Sequence, residues 1–390
     1  QCVPGHQDPL PEGMPTVAHA FNEAGYETAW FGKWHVDGFR EKEGRSAFHT
    51  VPRERRGGFK QWIGYENNLT MFDCWVHGHE RGGDEVEHTL LTGYETDSLT
   101  GLFIDYIEQQ TAAGGDGAGE EAPAPFFAAL SVMPPHNPFV APAEWMGRHT
   151  PGTVELRPNV PPYAGVRERA RRELAGYYAM IENLDHNLGR IQEALYRQDL
   201  YKDTVIVFFS DHGDMLGSHG HFRKTTIHHE SLNIPFVVGG GVPFYEKGGL
   251  AKPQVLDYPL NHVDIATTSL GLCGITPPAD MAGHNFAPQI SWHHEEKEPP
   301  PESAFLQYCA PSHYPPCMDR PWRGIMTADG WKYGCFEGQP WVLFDRNEDP
   351  LELCNLAHYK LSRKRRQTLE AQLADWIERT GDTFTLPSPD

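Results

Sequence analysis

No apolar run in the 390 residues approaches the roughly 18 that a helix needs to cross a bilayer, so no transmembrane helix is expected. Metal-finger and redox spacings are missing too. The seven cysteines (Cys2, Cys74, Cys273, Cys309, Cys317, Cys335, Cys354) contain no C-x-x-C pair. Those from Cys309 to Cys354 leave two readings, a disulfide or two in an oxidising compartment or free buried thiols. Basic residues are scarce, 33 Lys and Arg against 53 Asp and Glu, for a formal charge of −20. A nucleic-acid partner is therefore not expected, because affinity there rests on neutralising phosphates with Lys and Arg. An acidic chain can still hold a local cationic pocket for a small anion. What is abundant is loop chemistry, 39 glycines and 33 prolines, well above the roughly 12% usual for the two together. Loops of that kind collect binding residues.

The pattern of apolar residues gives the organisation. Val17, Ala20, Phe21 and Ala24 recur at helical spacing before Gly25, a natural helix stop, and Tyr26 to Phe31 then reads as a strand. A polar, Gly- and Arg-rich excursion runs to about Asp97, followed by a helix with Leu99, Leu102, Phe103, Tyr106 and Ile107 on one face. Thr111 to Pro125 is low-complexity and reads as a surface loop; Phe126 to Val132 reads as a buried strand. The clearest helix lies between Arg167 and Gln198. The run Thr204 to Phe209 after it has the continuous apolarity of a strand buried on both faces of a parallel sheet. Strands alternating with helices predict an α/β fold with a doubly wound, mostly parallel sheet. From about residue 299 short strands follow one another without helices, then a helix carrying Leu369, Leu373, Trp376 and Ile377. The expected division is residues 1–298 as the α/β domain and 299–390 as a smaller antiparallel α+β subdomain.

Three strand ends carry candidate chemistry, where ligands of open α/β sheets bind. After TVIVFF come Asp211 and His212, which can offer a carboxylate oxygen and an imidazole nitrogen to a metal, or else cap a helix. After the first strand, Lys33 and His35 alternate and can share a face, suited to an oxyanion with a proton to move. The alternative is a solvated Lys and a His packed on Trp34. After the third, prolines flank His136, either a positioned acid or a structural imidazole. With Lys224 as a further cation, these residues imply one cationic pocket. Tyr308, His313, Arg320 and Arg323 are candidates for its mouth and equally for plain surface. Asn68-Leu69-Thr70 is a formal glycosylation sequon.

These motifs resemble the formylglycine-dependent sulfatases of the alkaline phosphatase superfamily. AGYETAWFGKWH (Ala24 to His35), YYAMIENLDHNLGRI (Tyr177 to Ile191), TVIVFFSDHGDMLGSHG and LFDRNEDPLELCNLA (Leu343 to Ala357) carry the resemblance over nearly the whole chain. It implies that Asp211 and His212 ligate a calcium ion and that Lys33 bridges sulfate and nucleophile. His35 would help the nucleophile release sulfate, His136 would protonate the leaving oxygen, and Lys224 would bind sulfate. The implied substrate is a small-molecule or oligosaccharide sulfate ester, with an oligomer compatible and a periplasmic or secreted location favoured.

One departure stands out. The family's nucleophile lies in a C/S-x-P/A-x-R motif, and Cys2-Val3-Pro4-Gly5-His6 has histidine in place of the arginine. The expectation is that the formylglycine and two further metal aspartates lie upstream of Gln1. Two alternatives accompany it: a phosphonate monoester or phosphodiester hydrolase of the same superfamily, or a non-catalytic sulfatase-like protein if the gene begins near Gln1.

Overall fold

The computed structural model describes residues 8–39, 44–112, 124–241, 245–246, 249–250, 253–290, 299–309 and 317–388. The segment from Cys2 to His6, most of the low-complexity stretch and His313 lie outside the described residues.

Thr16 opens the first helix, α1 (Val17–Glu23), through a capping box with His19. Gly25, at φ +84°, turns the chain into β1 (Glu27–Lys33). β2 (Gln61–Tyr65), β3 (Cys74–His79) and β4 (Glu85–Leu91) follow, then α2 (Glu95–Ala112), β5 (Phe126–Ser131), α3 (Ala143–Met146) and α4 (Ala164–Arg197). β6 (Val205–Phe209), α5 (His229–Leu232), β7 (Phe236–Gly240), the short β8 (Tyr245–Glu246) and β9 (Gly249–Leu250), α6 (Val263–Leu272) and α7 (Ala287–Ile290) come next. β10 (Ser303–Tyr308), β11 (Trp322–Thr327), β12 (Trp331–Phe336), β13 (Gln339–Asp345) and α8 (Arg363–Thr380) close the chain.

The main sheet has the order β4-β3-β2-β1-β5. β1 runs parallel to both β2 and β5, while β3 and β4 add on antiparallel. Alternation along β1 sends Ala29 and Phe31 to a core with Leu99, Phe103, Tyr106 and Ile107 of α2 and Leu195 of α4. Trp30 points the other way, to Ala18 of α1 and Trp62. Helices therefore cover both faces, as a doubly wound arrangement requires. Burying a side chain such as Phe31 contributes about 2 kcal/mol. The last four strands form an antiparallel sheet, β10-β11-β12-β13, with α8 packed on it through Leu369 and Leu373.

Two sequence expectations need correction. The excursion before Asp97 contains β2, β3 and β4. β6 is not a strand buried on both faces of a parallel sheet: among the described residues it pairs antiparallel with β7, and Phe209 is 45% exposed. The six described cysteines, Cys74, Cys273, Cys309, Cys317, Cys335 and Cys354, are free thiols. Asn68 of the sequon is buried, its amide donating to the carbonyls of Thr70 and Asp73, a turn that leaves it no room for a glycan.

Candidate active site

Gly32 brings β1 to its end at φ +98°, where an added Cβ would lie 2.0 Å from the Ser131 carbonyl oxygen of β5. That close approach puts Lys33 beside the end of β5. Two residues on, His35 adopts φ +55° and its amide donates to the Glu66 carbonyl at 2.8 Å. A left-handed histidine costs energy and is kept where the surroundings over-determine it. The loop after β5 carries His136 between the cis bonds Pro134–Pro135 and Asn137–Pro138. Its amide donates to the Met133 carbonyl at 3.0 Å, and Nδ1 lies 2.7 Å from the Asn137 carbonyl oxygen. A carbonyl can only accept, so Nδ1 carries the proton and Nε2 is left as the working atom.

After β6 come Asp211 and His212. His212 repeats the device: Nδ1 donates to the Gly213 carbonyl at 2.8 Å, and Nε2 accepts from the Lys224 ammonium at 2.5 Å. The His136 and His212 rings meet edge to face, 6.1 Å between centroids.

These side chains lie close enough to act on one another's charges. Burial lowers Lys33, while Asp211, Glu95 and Glu66 oppose it. Burial, then the charge of Lys33, brings Lys224 down to about 8, with Asp211 opposing. Burial and the Lys224 charge push His136 down to about 3 and His212 to about 4. Both imidazoles are therefore neutral near pH 7. Desolvation raises Asp211, but His212, Lys33 and Lys224 outweigh it and hold the carboxyl below its usual range. The structure thus gathers Lys33, His136, Asp211, His212 and Lys224, with His35 held alongside through its backbone.

The same rule of strand ends would have found Glu66, which directly follows β2; both its oxygens accept from the Asp37 amide, at 3.0 and 3.1 Å. Glu95 was not foreseeable in this way. It is wholly buried, and its Oε1 accepts from the Tyr65 hydroxyl and the Met133 amide, both at 2.7 Å. Arg323, a candidate for the pocket mouth, is instead paired with Asp382 at 2.5 and 3.2 Å in the C-terminal subdomain. Tyr308 likewise donates there, to Asp319 at 3.1 Å.

The residues described do not by themselves fit a calcium ion. Calcium takes six to eight oxygen ligands, and among the described residues no group of three or more His, Cys, Asp or Glu is arranged to hold a metal ion. The Asp211 carboxylate is 69% exposed and open to a cation, whereas the His212 lone pair is already engaged by Lys224.

Comparison with known proteins places this arrangement. A sulfatase family model matches residues 2–275, and the model for the C-terminal part of N-sulphoglucosamine sulphohydrolase matches residues 217–379. The chain is 30% identical over 388 residues to an ulvan-active sulfatase of Formosa agariphila, covering 96% of this chain and 68% of that protein. An endo-4-O-sulfatase of Bacteroides thetaiotaomicron is 28% identical, with 72% of this chain and 55% of that protein covered. Solved structures share the fold. One, from work on glycosaminoglycan metabolism by Bacteroides thetaiotaomicron, has a TM-score of 0.78 at 24% identity, covering 97% of this chain and 80% of the other. Another, in complex with its substrate D-glucosamine-2-N,6-O-disulfate, has a TM-score of 0.74 at 18% identity and coverages of 97% and 84%. The phosphonate monoester hydrolase of Agrobacterium radiobacter follows at 0.68 and 20%, with coverages of 96% and 82%. The chain belongs to the sulfatase family.

Proposed function

We propose that this chain serves a sulfuric-ester hydrolase acting on a sulfated carbohydrate, with a formylglycine nucleophile supplied by sequence upstream of Gln1. The observation that carries the reading is the convergence of Lys33 and Lys224 with His136 and Asp211 at the ends of β1, β5 and β6. The names of the relatives, an ulvan-active sulfatase and an endo-4-O-sulfatase, support a polysaccharide or oligosaccharide sulfate as substrate. Calcium, completed by oxygen ligands beyond Asp211, would neutralise charge on the sulfuryl oxygens.

Within this chain, Lys33 and Lys224 embrace the anionic sulfuryl group, an electrostatic stabilisation that matters most as charge develops. His136 offers Nε2 to the leaving oxygen. Burial, then Lys224 and Lys33, disfavour a further positive charge and keep this imidazole neutral. A bound sulfate ester supplies the opposite charge that draws a proton onto Nε2, and that proton leaves with the alcohol when the S–O bond breaks. His35 stands beside Lys33 to assist sulfate release.

The test uses the complete protein. Replacing Lys33, Lys224 or His136 by Ala is expected to lower kcat/KM on an aryl sulfate at least about 100-fold. Asp211→Ala should abolish turnover; activity retained in that variant overturns the metal assignment. The phosphonate hydrolase neighbour favours one other reading. Turnover of an aryl phosphonate well above that of sulfate esters would establish it and defeat ours.

A further inference from the structure

Lys224 sits between two residues that avoid their ordinary backbone region. Arg223 has φ +73° and Thr225 φ +75°, and neither is glycine. Such a turn relaxes unless its flanks are held. Upstream, the Arg223 guanidinium donates to both oxygens of Glu173 on α4, at 2.8 and 3.2 Å, and its amide donates to Asp214 at 3.1 Å.

Downstream, the C-terminal subdomain holds Thr225, Ile227 and His229. The Thr225 hydroxyl donates to the Met318 carbonyl at 2.5 Å, and the Trp322 indole donates to the Thr225 carbonyl at 2.8 Å. The buried Lys332 ammonium donates to the Ile227 carbonyl at 2.8 Å and pairs with the buried Glu352. Glu352 in turn accepts from the His229 amide at 3.0 Å. Ile227 is fully buried against Trp322, Val342 and Phe344. It fills a notch that two paired glycines leave open: a Cβ on Gly324 or Gly334 would lie 2.6 or 2.4 Å from the Ile227 Cδ1. A lysine and a glutamate this deep are expensive to desolvate, yet both spend their polar atoms on the backbone of residues 227–229.

We propose that the C-terminal subdomain, through Trp322, Lys332, Glu352 and the Gly324–Gly334 notch, is the positioning element that holds Lys224 in the anion site. The inference rests on the reading that Lys224 binds the sulfuryl group. Lys33, carried by β1, does not depend on these contacts.

The test follows amide exchange in residues 223–232 of the full-length protein by mass spectrometry, together with binding of inorganic sulfate by calorimetry. The variants are Trp322→Phe, Gly334→Ala and the double change Lys332→Met with Glu352→Leu. The double variant replaces a buried pair by apolar groups of similar size, which is often neutral for folding; if it fails to fold, the two single variants decide. Exchange in 223–232 is expected to rise about tenfold or more while β1 and α4 keep their protection, and sulfate binding should weaken about tenfold. Unchanged exchange in every folded variant overturns the proposal. So does faster exchange with sulfate affinity intact. If the unaltered protein binds no sulfate, the functional reading of Lys224 falls, and exchange alone decides whether the sheet holds the turn.

Discussion

Glu95 is a wholly buried carboxyl group, set where α2 begins. Two donors satisfy Oε1, whereas Oε2 has no hydrogen-bond partner among the described residues. Burial raises it to about 7, against the relief given by Tyr65, Met133 and Lys33. The folded protein therefore holds this proton at pH values where the unfolded chain has released it. The stability this adds is present in full below the unfolded value and fades as pH rises through about 7. Glu95→Gln keeps an acceptor for both donors and cannot ionise. Urea unfolding at pH 5 and pH 8.5 should show the wild type losing stability relative to the variant at the higher pH; parallel profiles would show that Glu95 is ionised throughout. Lys33, His136 and Asp211 were legible in the sequence because each sits at or just past the end of a strand. Glu95 was not, since an acid at the start of a helix is ordinary there and nothing local says that its helix begins inside the core.

At the scale of elements, α4 and the His136 loop are fitted to one another. A Cβ on Gly176 of α4 would meet the Phe139 carbonyl oxygen at 2.3 Å and the Phe139 Cβ at 2.8 Å. Alanine is the better helix former by about 1 kcal/mol, but the obstruction here is backbone and cannot swing aside. Gly176→Ala should thus destabilise by about 1–3 kcal/mol, as overpacking does. It should also lower kcat more than it raises KM, because the displaced loop carries His136. A more stable variant with normal kcat would contradict this packing argument. The helices α1, α2, α4 and α8 were readable from their stripes, whereas β2, β3 and β4 were not. β4 is an edge strand whose alternate positions bear Glu85 and Glu87, so it reads as polar. β3 carries His77 and His79, both buried. Written in one-letter code they look hydrophilic, while in the fold they pack as neutral rings. The continuous apolarity of β6 told strand from helix but was silent on direction, since pairing depends on a neighbour distant in sequence.

The histidines also govern the molecule as a whole. Burial, then the His88 charge, pushes His77 down to about 3. Burial, then His219, takes His228 to about 3, and burial with Arg346 takes His229 to about 4. Unfolded, each would bind a proton near pH 6.5. Between pH 6.5 and 4 the unfolded chain therefore takes up protons that the folded chain refuses, and stability falls as pH falls. Glu66, Glu95, Asp214 and Asp264, all raised by burial, pull the other way. Their effect is spread from the carboxylate range upward, so the histidines dominate the upper part of the window. His228 and His229 lie in the seam where residues 225–232 meet the C-terminal sheet, contacts that join positions more than a hundred residues apart and leave no local mark in the sequence. The seam should open before the main sheet does. A His228→Phe variant, which keeps a ring against Trp341 and Phe344 but has no proton to gain, should lose stability less steeply from pH 6.5 to 4. Exchange of the 225–232 amides should show the difference first. If that segment and β1 open together in both proteins, acid acts through the whole fold and not through the seam.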